Sequence, residues 1–256
     1  MENNNNFVKY NNQIIPKPQG SDYSLINNKV YTLKRDRYSD DLYLEETDDF
    51  KMPEKYYQSE SDKRFIKKVI KTFKETDKNN TGVLLSGLKG SGKTLMAKYI
   101  ASQCDVPIIV VDKCVNAGDI ENFFIRVHEE VVVIFDELDK YWNTSYLLGF
   151  LDGVKQSSKK LVLCTCNDED EVSDYLNDRC SRIRYKKVFD CLSVDVVVGI
   201  LSDVMDDDKA IEAASYLVEH IDTLSYDNVI VFRDEVVNNP EESYEEILED
   251  LNIETK

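Results

Sequence analysis

Gly82-Val83-Leu84-Leu85-Ser86-Gly87-Leu88-Lys89-Gly90-Ser91-Gly92-Lys93-Thr94-Leu95-Met96-Ala97 decides the fold class. Val83 to Leu85 is an apolar run that reads as a short buried strand, and Leu95-Met96-Ala97 opens an apolar helix. Between them stands Gly87-x4-Gly92-Lys93-Thr94, the pattern of a phosphate-binding loop. Such a loop needs glycines so that successive backbone N–H groups can turn inward on an anion without obstruction. The helix that begins there presents the positive end of its dipole to the same anion. Gly87, Gly90, Ser91, Gly92 and Leu95 form or border this cradle. Lys93 is the side chain expected to reach the β- and γ-phosphates, and the Thr94 hydroxyl is expected to ligate Mg2+.

A second stretch gives the loop a reaction. Val131-Val132-Val133-Ile134-Phe135 reads as a buried strand and ends in Asp136-Glu137, 43 residues after Lys93. That spacing leaves room for one further strand, Ile108 to Val111, with a helix on each side. Asp136 is placed to support Mg2+, and Glu137 to polarise a water in line with the γ-phosphorus. The next strand, Leu161 to Thr165, ends Thr165-Cys166-Asn167-Asp168, and Asn167 is the polar side chain expected to orient that water.

Outward from this centre, strands and helices alternate, which predicts an α/β fold with a parallel sheet flanked by helices. The helix before the loop carries Phe65, Ile66, Val69, Ile70 and Phe73 on one face. Upstream, residues 1–25 are Asn-rich and read as a mobile arm. Residues 26–58 read as a small hairpin, Lys29 to Leu33 and Leu42 to Glu46, with a linker. The nucleotide-binding domain is read as 59–189. From 190 to 256 the pattern is helical only: Val194, Val197, Val198, Leu201 and Val204 on one face; Ile211, Ala214, Leu217 and Ile221 on the next; a third helix at Val229 to Val237; and a last one starting at Pro240.

The net charge is −17, which opposes broad nonspecific adhesion to nucleic acid. From Lys186 onward 5 Lys/Arg face 19 Asp/Glu, so the helical part is the acidic part. Lys63, Arg64, Lys67, Lys68 and Lys71 form one basic helix face, either solvated or turned to nucleic acid. No apolar run approaches the ~20 residues of a membrane span, and the first residues carry no apolar leader core, so a cytoplasmic protein without a membrane partner is expected. The six cysteines show no Cys-x2-Cys pair, and reduced, mostly buried thiols are expected.

Taken together, Gly87–Thr94, Asp136-Glu137, Asn167 and the helical C-terminal part resemble the AAA+ ATPase family, with a looser likeness to its bacteriophage members. The segment Leu148-Gly149-Phe150-Leu151-Asp152-Gly153 is similar to that family's stretch between the carboxylate strand and the Asn strand. The resemblance implies a P-loop NTPase domain followed by a small helical lid, with ATP and Mg2+ as cofactors. It implies a homo-oligomeric ring, a hexamer being one such size, in which an arginine of one subunit reaches the γ-phosphate held by the next. Arg179 and Arg182 occupy the matching place, and Cys180-Ser181 between them departs from the usual Arg-Pro-Gly-Arg, so either arginine fits. For the adenine, Met52 and Tyr57 are candidates, with ordinary packing as the other reading.

Two family features are weak. The loop Lys113-Cys114-Val115-Asn116-Ala117-Gly118 lacks the aromatic used for threading polypeptide, and Arg233, the one arginine of the helical part, has no evident aim at the phosphates. Two other readings follow: an assembly protein controlled by nucleotide with little turnover, and a small-molecule kinase, against which Asn167 and the separate bundle count. The client, protein or nucleic acid, is not written in the sequence.

Overall fold

The computed structural model describes residues 7–10, 12–16, 23–76, 80–142, 144–152, 158–172 and 182–256. Its strands are β1 (Phe7–Tyr10), β2 (Gln13–Pro16), β3 (Val30–Arg35), β4 (Leu42–Glu46), β5 (Thr81–Gly87), β6 (Ile108–Val111), β7 (Val131–Phe135), β8 (Lys160–Cys166) and β9 (Tyr185–Phe189). They form one sheet in the order β1-β2-β4-β3-β6-β7-β8-β5-β9. The run β3-β6-β7-β8-β5 is parallel throughout. All five residues of β7 and all seven of β8 are buried, which is why these strands lack polar alternation.

The helices of this part are α1 (Glu60–Glu75), α2 (Lys93–Ser102), α3 (Ala117–Ile125), α4 (Leu138–Tyr141) and α5 (Leu148–Asp152), with a 3-10 turn at Thr144–Leu147 before α5. Ile66, Val69 and Phe73 of α1 are buried, as its apolar spacing requires. Core aromatics meet edge to face or tilted: Phe124 and Phe150 at 4.8 Å, Phe135 and Trp142 at 5.5 Å. Val83, Leu85, Val132, Ile134, Leu161 and Leu163, on the alternate face of their strands, are buried as well, so both faces of the sheet are covered.

Contacts divide the chain into two compact units: Met1–Met52, Ile66–Ser86 and Thr94–Lys187 in the first, and Pro53–Phe65, Gly87–Lys93 and Val188–Lys256 in the second. This is not the linear cut at 189. The segment before α1 and the phosphate loop group with the C-terminal helices.

The N-terminal reading needs correction. Residues 7–10 and 12–16 are not a mobile arm; β1 and β2 pair antiparallel, and β2 pairs with β4. Phe7 and Ile14 are fully buried there, apolar anchors that the surrounding asparagines obscure. The β3–β4 hairpin is present, but β3 also pairs in parallel with β6 and so belongs to the main sheet.

Within the first unit, Lys160 is fully buried at the start of β8. Its ammonium donates to the carbonyls of Val127 at 3.0 Å, Glu129 at 3.1 Å and Ser158 at 3.1 Å. Burial pushes its pKa down to about 7, and burial pushes the Glu129 carboxyl up to about 7. Asn80 completes this end of the sheet: its amide donates to the Phe150 carbonyl at 2.8 Å and accepts from the Lys160 N–H at 2.8 Å.

The second unit contains α6 (Val194–Leu201), α7 (Asp207–His220), α8 (Tyr226–Asn238) and α9 (Tyr244–Asp250). Capping sets their starts. Asp206 caps α7, and Ser225 and Ser243 build reciprocal capping boxes with Asn228 and Glu246. The last helix therefore starts after Ser243, not at Pro240. The buried faces are also shifted from the expected ones. Val196, Val197, Ile200 and Leu201 are inside while Val194 and Val204 are exposed; Ala210, Ala213, Ala214 and Leu217 are inside while Ile211 is exposed.

Candidate active site

The phosphate loop follows directly from β5. Gly87, Gly90 and Gly92 all have positive φ, at 122°, 70° and 93°, so the loop runs through conformations that residues with a Cβ rarely adopt. At Gly87 an added Cβ would lie 2.1 Å from the Phe189 carbonyl oxygen. At Gly92 it would meet nothing within 4 Å, so that backbone borders open space on its Cβ side. Lys93 is buried, and its ammonium donates to the Gly87 carbonyl at 2.7 Å and to that of Leu88. Ser91 Oγ donates to the Leu88 carbonyl at 2.6 Å. Asp227, at the start of α8, donates its N–H to the Gly90 carbonyl at 3.2 Å. Tyr57 packs on the helical unit, its ring beside Gly199, and its hydroxyl oxygen is buried without a hydrogen-bond partner among the described residues.

Thr94, the residue after Lys93, begins a chain of hydrogen bonds inside the first unit. Its Oγ1 donates to Asp136 Oδ1 at 2.7 Å. Thr165 Oγ1 donates to the same oxygen at 2.7 Å and accepts the Glu137 N–H at 2.9 Å. Glu137 sits in the left-handed region, φ 54° and ψ 55°, at the turn from β7 into α4. For a residue with a Cβ that conformation costs about 1–3 kcal/mol. Lys140, one helical turn on, pairs with the Glu137 carboxylate and holds its pKa below the ordinary value of 4.5, with smaller contributions from Asn167 and Tyr141. Leu95 follows in the first turn of α2, half-buried.

Asn167 stands at the tip of β8, where its N–H donates to Asp139 Oδ2 at 3.1 Å. Its side-chain Nδ2 is buried and near enough to the Glu137 carboxylate to help lower its pKa, but outside full hydrogen-bond geometry with any described residue. An amide so weakly held is available to a ligand or water.

These residues fit a nucleotide with a hard divalent cation. A hydroxyl and a carboxylate, Thr94 and Asp136, converge at one point. Among the described residues no group of three or more His, Cys, Asp and Glu gathers to hold a metal alone. Mg2+ needs no such cage, since phosphates and waters complete its shell.

Of the two arginines read as trans-acting, Arg179 lies outside the described residues. Arg182 has a carboxylate partner within the chain. It is buried, and its Nε and Nη2 grip Asp152 at 2.9 and 3.0 Å in a two-point pair within the chain. Asp136, Glu137 and Asn167 all lie at strand ends where the sequence places them. Thr165 was missed as a site residue; the signal for it is a hydroxyl two positions before Asn167, hence on the same face of β8.

Residues 83–188 match the model of the AAA family, the ATPase family associated with various cellular activities. An Arabidopsis thaliana chloroplastic ATP-dependent zinc metalloprotease, FTSH 9, is 30% identical over 35% of this chain and 14% of its own length. Proteasome-activating nucleotidase 1 of Halobacterium salinarum is 44% identical over 23% of this chain and 17% of its own. The Clp protease ATP-binding subunit ClpX of Borrelia duttonii is 32% identical over 34% of this chain and 25% of its own. The chain thus spans a quarter or less of these curated relatives. Among solved structures, a RuvB mutant of Thermotoga maritima superposes with a TM-score of 0.55 at 20% identity, over 78% of this chain and 71% of that one, a likeness of fold. Among the described residues no helix is long and apolar enough to cross a membrane. Phosphate loop, paired strand-end carboxylates, sheet order and family match converge on an AAA-family ATPase domain at residues 83–188.

Proposed function

We propose that this chain binds ATP with Mg2+ and hydrolyses it to ADP and phosphate, and that it works as a homo-oligomeric ring on a macromolecular client. The observation that carries the hydrolytic reading is the linked set Thr94, Asp136, Thr165 and Glu137, with the buried Asn167 amide at the neighbouring strand tip. Backbone N–H groups of Gly90 to Thr94 and the Lys93 ammonium hold the phosphates. Lys93 releases the loop carbonyls that now accept from it. Thr94 and Asp136 hold the cation, which supplies charge neutralisation on the phosphate oxygens when bound. Glu137 orients the attacking water through its carboxylate, and Asn167 donates to that water or to a γ-phosphate oxygen. Tyr57 is the candidate for the adenine.

The ring reading rests on the arginines. Arg179 or Arg182 reaches a neighbour's γ-phosphate in this reading, and Arg182 would exchange its Asp152 partner to do so. The client, protein or nucleic acid, in replication or in phage development, is left to the assembled particle to reveal. The acidic helical unit and the loop 113–118 without an aromatic favour the alternative of a nucleotide-controlled assembly protein with low turnover.

Purified protein is expected to release phosphate from ATP in the presence of Mg2+ and to stop when EDTA removes the metal. Nucleotide binding without release, with or without DNA, would favour the assembly reading. Failure to bind a fluorescent ATP analogue would overturn both.

A further inference from the structure

The Thr165 hydroxyl has one proton to give and lone pairs to accept with, and the structure uses both. The proton goes to Asp136 Oδ1 at 2.7 Å, and a lone pair takes the Glu137 N–H at 2.9 Å. Thr165 is 1% exposed, so no solvent competes for either bond. Asp136 Oδ1 is also the oxygen that accepts from Thr94 at 2.7 Å. One hydroxyl on β8 therefore ties the carboxylate at the end of β7 to the backbone of the next residue, which is turned into a left-handed conformation at φ 54°. Without an acceptor for its N–H, a residue with a Cβ has little reason to stay there.

Resting on the hydrolytic reading above, we propose that Thr165 is a positioning residue, which fixes the Glu137 backbone and the Asp136 carboxylate in one mutual geometry, so that the Glu137 side chain is aimed at its water. It touches no reacting atom. Its effect falls on the aim of Glu137, and so on turnover rather than on nucleotide affinity, because Asp136 keeps the Thr94 hydroxyl as a donor and the phosphate cradle is built from Gly87 to Thr94.

Thr165→Val keeps the shape of the side chain and removes the hydroxyl. It is expected to lower kcat about tenfold or more, a modest misalignment being sufficient for that, while the dissociation constant for ATP stays within about threefold and KM with it. Thr165→Ser restores the hydroxyl and is expected within about threefold of wild-type kcat. Wild-type turnover in Thr165→Val would overturn the assignment. So would Thr165→Ser as slow as Thr165→Val, since the effect would then belong to packing. If Thr165→Val is unfolded at the assay temperature, Thr165→Ser against Thr165→Ala, at a temperature where both melt later, applies the same criterion. Glu137→Gln measured beside them separates the two levels. Should it turn over ATP normally, the reading of Glu137 falls and the Thr165 role with it; should it be silent while the Thr165 variants match wild type, only the Thr165 role falls.

Discussion

Glu137→Gln is expected to bind ATP as tightly as the wild type and to hydrolyse it at least a hundredfold more slowly, the usual scale for loss of a positioned base. The amide has the size of the carboxylate and keeps an oxygen, so the backbone of the β7–α4 turn, held by Thr165, has no reason to move. What disappears is the negative charge that polarises water. The ion pair with Lys140 is lost too, but both side chains are more than a third exposed, and the melting temperature is expected to stay within about 2 °C of wild type. The depressed pKa of Glu137 means the carboxylate is ionised throughout the neutral range, so the wild type is expected to lose activity through its protonation only in more acidic solution than an ordinary glutamate would require. Phosphate release and equilibrium binding of a fluorescent nucleotide, run on both proteins, check this. A variant that turns over at the wild-type rate removes Glu137 from the mechanism.

The second large effect concerns stability. Lys160→Met keeps the length of a fully buried side chain and removes its donors. The Ser158 carbonyl then loses the ammonium, while those of Val127 and Glu129 keep the Ser158 hydroxyl at 3.4 and 2.8 Å. One unsatisfied buried carbonyl and two weakened ones, partly offset by relief from burying a charge, give an expected net loss of about 1–3 kcal/mol. For a chain of this size that is a fall of roughly 2–12 °C in melting temperature. Thermal unfolding followed by circular dichroism reads it directly, and a shift under about 2 °C would mean the carbonyls find water instead. Nucleotide affinity in the surviving folded protein is expected to be unchanged, because Lys160 begins β8 while Thr165 and Asn167 stand at its other end.

Much of the centre was legible because its signals are local. Val131 to Phe135 and Leu161 to Thr165 are apolar without alternation, which buried parallel strands require, and the glycines of the loop sit where positive φ is needed. The features that escaped depend on partners distant in sequence. Phe7 and Ile14 look like isolated apolar residues in a polar arm until β4 and Tyr23 supply neighbours. Lys160 follows Lys159 before a strand and looks like a surface pair; only the loop carbonyls 30 residues earlier explain why it is inside. Arg182 has the sequence position of a phosphate-seeking arginine, and nothing local shows that Asp152, 30 residues away, pairs with it in the single chain. In the helical unit the phase error has another cause. Val194 to Leu201 is apolar on nearly every side, so periodicity alone does not choose the buried face. The Ser243-x-x-Glu246 capping box was the stronger signal for the last helix than Pro240.

The pairing of β3 with β6 has a practical consequence for anyone who trims this chain. The family match begins at residue 83, well after β3 and β4. Cutting there would strip β6 of its outer neighbour and bare the backbone groups of Ile108 to Val111, a flat apolar strand with no charge to discourage docking. A raw edge of that kind recruits strands from other molecules. The β3–β4 hairpin thus acts as a hem on the sheet, and a fragment without it is a candidate for aggregation rather than for a minimal catalyst.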